Sequence, residues 1–222
     1  MSARIDPADV DAAFRAFVDD PVFPCLAGKG VVRADRHARG VYGALGSRRS
    51  TRALARDLAE FAATVSDDEP RLRAFVAVFP RSRCDDELTF EAHLWQQLQL
   101  LAEHDETAAW GRGVSDDPDD PEFSFSFGGS ALFVVGLHPA SSRLARRFRW
   151  PALVFNPRAQ FDRLKETGRF ERLRGAVRER EIALQGTLNP NLADFGERSE
   201  ARQYSGRATE PAWRCPFHRA AS

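Results

Sequence analysis

Residues 123–137 read FSFSFGGSALFVVGL, and they constrain the fold more than any other part of the chain. Phe123, Phe125 and Phe127 alternate with Ser124 and Ser126 at the period of a half-buried strand. Gly128-Gly129 can take the positive φ of a tight turn, and residues 131–137 are then apolar almost throughout. The pattern predicts a β-hairpin whose second strand is fully buried inside a sheet. A β-branched apolar run at 73–79, bounded by Pro70 and Pro80, predicts another central strand, and 152–155 a further one.

Between these strands the apolar spacing is helical. Asp6-Pro7 is a helix start, followed by Val10, Phe14, Phe17 and Val18 on one face as far as Asp20. Polar residues at 47–50 precede a second helix marked by Leu54, Leu58, Phe61 and Val65, and a third runs over about 86–104 with Leu94, Leu98 and Leu101 inside. Asn156-Pro157 reads as the cap of a helix carrying Phe161 and Leu164, which breaks at Gly168 and resumes with Phe170, Leu173 and Val177. Residues 21–30 read as a loop, 31–45 as two short strands turning at Gly40, and 115–122 (SDDPDDPE) as an exposed loop dividing the halves of one sheet. The fold class is α+β (α/β): a single domain over 1–222, with a central mixed or mainly antiparallel sheet flanked by helices. Its core covers about 7–186, and the irregular tail 187–222 packs back through Tyr204, Trp213 and Phe217.

The chain's 32 basic residues balance 32 acidic ones, so no overall field draws it to nucleic acid or to a membrane surface. Only Lys29 and Lys165 are lysines; the arginine and alanine bias reads as that of a G+C-rich bacterial genome. No apolar run approaches the roughly 20 residues of a membrane span, and the first residues carry no secretory pattern, so a cytoplasmic location is expected. Cys25, Cys84 and Cys215 have no metal-binding spacing and cannot all pair, which fits a reducing compartment.

Phosphate loops, nucleophile elbows and zinc-protease motifs are absent from the sequence. His93 and His104 stand about three turns apart on one helix, unsuited to a shared metal, and His37 and His218 lie among arginines with no role assigned. The acidic loop at 116–120 lacks the glycine and glutamate of a calcium hand and reads as a solvated turn. His138, in Gly136-Leu137-His138-Pro139, closes the most apolar strand, where α/β sheets line ligand crevices; it is either a ligand or a histidine satisfied by a backbone carbonyl. Arg143, Arg146 and Arg147 either hold anions or form a solvated face. Cys25, after Phe23-Pro24, is either a thiolate within reach of a metal or a small buried hydrophobe, and Cys215-Pro216 is structural.

Six ordered segments, FPCLAGKG (23–30), VYGALGS (41–47), DDPDDPEFSFSFGG (116–129), FVVGLHPASSR (133–143), PALVFNP (151–157) and EARQYSG (200–206), together resemble the YqcI/YcgG family. The GLHP motif and the closing WRCPF (213–217) are more similar to the branch containing the haem-dependent pre-guanitoxin N-hydroxylase of guanitoxin biosynthesis. The resemblance implies a haem b monooxygenase that hydroxylates a nitrogen of a guanidino compound or amine, arginine-like in character, with O2 and an external electron donor. It puts forward His138 as axial ligand of the iron, with Cys25 second. Burial of the macrocycle would fall to Phe125, Phe127, Phe133 and Phe155, with Tyr204 beside it, and its propionates to Arg143, Arg147 and Arg202. Glu200 is the candidate carboxylate for a cationic substrate. A haem-binding sensor or storage protein without turnover is the alternative, a haem-free structural domain is a third reading, and a homodimer is compatible with all of them.

Overall fold

The computed structural model describes residues 5–66, 71–107 and 109–219. Asp6 caps α1 (Pro7–Asp19), its Oδ1 accepting from the Ala8 N–H at 2.8 Å. Ser47 and Asp86 do the same for α3 (Arg48–Ala63) and α4 (Glu87–His104), accepting from Ser50 and Thr89. Between α1 and α3 lie α2 (Leu26–Arg33) and β1 (His37–Val41); β2 (Ala74–Val78) links α3 to α4. The hairpin of β3 (Ser126–Phe127) and β4 (Ser130–Leu137) follows, then a short 3-10 turn, β5 (Ala152–Pro157), α5 (Ala159–Glu166), α6 (Phe170–Gln185) and the one-turn α7 (Ala201–Tyr204). The strands form one sheet in the order β1-β2-β5-β4-β3, parallel between β1 and β2 and antiparallel elsewhere, as the expected mixed α+β class requires. Gly128 and Gly129 have φ of 59° and 74°, which only glycine takes cheaply at both positions of the turn.

Side-chain alternation gives the sheet two unlike faces. Phe75, Leu132, Val134, Leu153 and Phe155 pack against Leu54, Leu58, Leu94 and Leu98 of α3 and α4 in the main core. The tail closes this core with Tyr204, Cys215 and Phe217. The other face carries Val76, Val78 and Leu137, with Phe14 and Val18 of α1 over one part of it. Burying apolar area at about 25 cal/mol per Å² makes the first face the main source of stability.

Several expectations are corrected. Residues 21–33 are not all loop and strand: α2 forms because the Cys25 thiol caps it, its Sγ accepting from the Gly28 N–H at 3.3 Å. Gly40 does not turn the chain but lies within β1, where a side chain would strike the Tyr42 ring. Asn156-Pro157 stays in β5, with the Asn156 amide donating to the Phe133 and Val154 carbonyls, and α5 starts without a side-chain cap. Ser124 and Ser126 are buried like the phenylalanines between them, because Ser124 donates to Glu200 and Ser126 accepts from the Gly111 N–H. β4 is not covered on both sides: Phe133 and Val135 are only half-buried. No helix among the described residues is long and apolar enough to cross a membrane.

Candidate functional site

The half-covered face of β4 and β5 is the floor of a cavity of 310 Å³. His37, Ala74, Val76, Val154, Phe133 and Val135 line it from the sheet, Phe14 and Val18 from α1, Val31 and Val32 from α2, and Val177 and Glu181 from α6. A second cavity of 290 Å³ adjoins it and shares Cys25, Ala27, Phe133, Phe161, Val177, Glu181, Leu192 and Gln203 as walls. The volumes are those of small-molecule and cofactor sites. The larger cavity is mostly apolar; the second is rimmed by Arg158, Lys165, Arg174, Arg178 and Arg198 against Glu181, Asp194 and Glu200.

Cys25 stands where both cavities meet. Lys29 donates to the carbonyls of Asp20 (2.6 Å) and Pro21 (3.2 Å), while Arg180 on α6 donates to those of Pro21 and Phe23, so the turn delivering the thiol is held from two helices. Burial pushes the Cys25 thiol up, against the N–H groups of Gly28 and Ala27 and the charge of Arg146. A metal ion would displace that proton outright. Arg146 also lines the larger cavity. Burial lowers its pKa to about 10, and it donates to the carbonyls of Gly136, Tyr204 and Gln203, each at 3.1 Å.

Two other residues put forward from sequence reach these cavities. Arg143 lines the larger one, but its guanidinium is engaged by Glu181 (2.5 Å) and by the Thr187 carbonyl (2.6 Å) and hydroxyl (3.1 Å). Glu200 lines the second and accepts from Tyr204 Oη (2.6 Å), Ser124 Oγ (2.7 Å) and Arg158 (3.1 Å). Burial raises its pKa to about 7 in spite of those donors.

The remaining candidates lie elsewhere. His138 continues the alternation of Leu132, Val134 and Gly136, so it points to the α4 side of the sheet, stacked on Phe90 at 4.2 Å between ring centroids and fully buried. It lines neither cavity. Neither ring nitrogen has a hydrogen-bond partner among the described residues, and burial, aided by Arg146, lowers its pKa to about 4 although Glu87 and Asp86 oppose this. Phe125, Phe127 and Phe155 belong to the main core, leaving Phe133 as the one member of that quartet on a cavity wall. Tyr204 lies in the same core with its hydroxyl spent on Glu200 and on the Phe125 N–H. Arg147 is exposed and donates to the Ser141 carbonyl. Arg202 clamps the tail through the carbonyls of Glu210, Pro211 and Trp213. Among the described residues there is no cluster of three or more metal-ligating side chains.

A protein-family model matches residues 14–218, described as the YqcI/YcgG family. The chain belongs to that family. Two curated Bacillus subtilis (strain 168) proteins, YqcI and YcgG, both described as uncharacterized, are each 28% identical to it. The YqcI match spans 205 residues, covering 88% of this chain and 80% of the relative, and the YcgG match 209 residues, covering 90% and 82%. No solved structure matches. Sequence reasoning missed Glu181, whose carboxylate reaches both cavities, and His37, whose partner Asp11 lies 26 residues away; neither carries a local motif.

Proposed function

We propose that this member of the YqcI/YcgG family is a haem-dependent oxygenase that hydroxylates a nitrogen of a guanidino compound or amine, and that it seats haem in the paired cavities with Cys25 as the iron's ligand. One observation carries the reading: an apolar cavity with a free thiol in its wall opens into a second whose rim is cationic. Those surroundings suit a flat, apolar macrocycle that bears two carboxylates at one edge. Haem bound through a thiolate supplies the reductive activation of dioxygen.

The chain's own residues supply the rest. Val76, Val135 and Val154 give the larger cavity an apolar wall, which disfavours water and so strengthens polar contacts made inside it. Arg178 and Arg198, at the rim of the second, suit paired carboxylates by forked hydrogen bonds. Arg143 holds one oxygen of Glu181, which orients that carboxylate where the cavities join and leaves its second oxygen for a guanidinium or ammonium group. Arg146 favours the thiolate form of Cys25 electrostatically.

Absorption spectroscopy of the protein expressed with added haem tests the ligand. A Soret band is expected for the unsubstituted chain and for His138→Ala, and a shifted or missing band for Cys25→Ser. The opposite pattern returns the ligand role to His138, and no band in any of them removes haem. Holoprotein given O2, a reductant and arginine-like substrates should yield a hydroxyguanidine; a Soret band without product supports a sensor or storage protein instead.

A further inference from the structure

The larger cavity has a second polar feature that the thiol and the cationic rim do not use. His37 opens β1 on the cavity face of the sheet, in register with Ala74, and is 4% exposed. Its Nε2 lies 3.0 Å from Asp11 Oδ1. Arg39 Nε meets the same oxygen at 3.1 Å, and Arg15 Nε donates to Oδ2 at 2.8 Å. Arg15 and Arg39 in turn pair with Asp35, the other carboxylate at this edge. Burial works against charge on Asp11, but the hydrogen bonds from Arg15 and His37 and the Arg39 charge outweigh it and hold the carboxyl below its ordinary range.

An ionised Asp11 can only accept, so the proton between it and His37 sits on Nε2. In the neutral form of the ring this leaves a bare lone pair on Nδ1. That atom is buried and has no partner among the described residues. A buried acceptor without a donor costs roughly 1–3 kcal/mol, and here it belongs to a ring lining a cavity of ligand size. A carboxylate that holds one nitrogen of a histidine in a cavity wall, while the other nitrogen has no partner, is the arrangement of an oriented base.

We infer that His37 is the proton acceptor for the substrate nitrogen, with Asp11 as its positioning residue. In this step a substrate N–H bond breaks and leaves its electron pair on nitrogen. The proton passes to His37 Nδ1, and the resulting imidazolium is stabilised by Asp11. An unprotonated nitrogen lone pair is what N-hydroxylation needs, so the inference rests on the oxygenase reading for its substrate class. The tautomer and the contact do not rest on it.

The test uses two readouts. Nitrogen-15 NMR of the full chain should show His37 protonated at Nε2 and bare at Nδ1, and addition of agmatine should move the Nδ1 resonance. Asp11→Asn, which keeps one accepting oxygen but loses the charge and the second, should weaken the hold on the Nε2 proton and reduce that response while the chain stays folded. In the haem-loaded protein, Asp11→Asn and His37→Gln should each lower kcat by about 100-fold or more, with KM and the Soret band little changed. A proton found on Nδ1 overturns the inference even if no turnover is ever seen, and so does undiminished kcat in both variants. A Soret shift on His37→Gln also overturns it, because the ring would then be an iron ligand.

Discussion

The two faces of the sheet are made by the same strands and do opposite things. On the α3/α4 side, Leu132, Val134, Leu153 and Phe155 are fully buried against helices. One residue along in each strand, Phe133, Val135, Val154 and Asn156 are half-buried because they border a cavity. Apart from Asn156, residues of nearly the same apolarity thus build stability on one face and room on the other. The helix over the cavity shows the same division: α6 has no fully buried residue, yet Val177 and Glu181 line both cavities.

The largest expected effect breaks that comparison directly. Phe155→Ala should cost about 3–5 kcal/mol in denaturant unfolding, because nothing mobile can refill its space. Phe133→Ala, on the cavity side, should cost under about 2 kcal/mol and instead weaken ligand binding. Equal losses would mean that the cavity face is as tightly packed as the core.

Buried ionisable groups give the next contrast, on the order of 3 kcal/mol each. Glu200 titrates near 7 in the folded chain, above its ordinary 4.5, so its contribution is full below about 4.5 and is lost as pH rises through 7. His138 titrates near 4, below its ordinary 6.5, so its contribution is present above 6.5 and is lost as pH falls through 4. Thermal unfolding against pH should therefore flatten on the neutral side in Glu200→Gln and on the acid side in His138→Gln. Unaltered profiles would show that neither group is held away from water as described.

The smallest stability change should come with a large functional one. Val135→Phe fills empty space, so Tm should shift by no more than a few degrees while haem uptake falls sharply. Full uptake would overturn the proposed haem seat in this cavity.

What could be read from the sequence follows from the same division. α1, α3 and α4 were legible because Asp6, Ser47 and Asp86 cap them ahead of a regular apolar stripe. The hairpin was legible because Gly128-Gly129 separates two strand patterns, although its first strand, expected over 123–127, forms only at Ser126–Phe127. α2 was not, since its cap is a cysteine and Gly28 and Gly30 weaken its helical signal. The cavity was hidden for a different reason: Val135 and Val154 look alike in sequence whether they face a helix or a void. Cys25 could be picked out but not preferred to His138, because the side of the sheet that His138 takes depends on the register of β4 and the position of Cys25 on its capping the unforeseen α2. Among 30 arginines, sequence offered no means of separating Arg202, which clamps the tail, from Arg178, which lines a cavity rim.

Arg146 has one foot in each half of the molecule. Its guanidinium borders the larger cavity, yet it grips the backbone of Gln203 and Tyr204, the segment that leads into the C-terminal tail. A negatively charged guest at Cys25 competes with those carbonyls for the same cation. Loading the pocket and unfastening the chain's end are therefore thermodynamically linked, and the tail's susceptibility to a protease becomes a gauge of what the pocket holds.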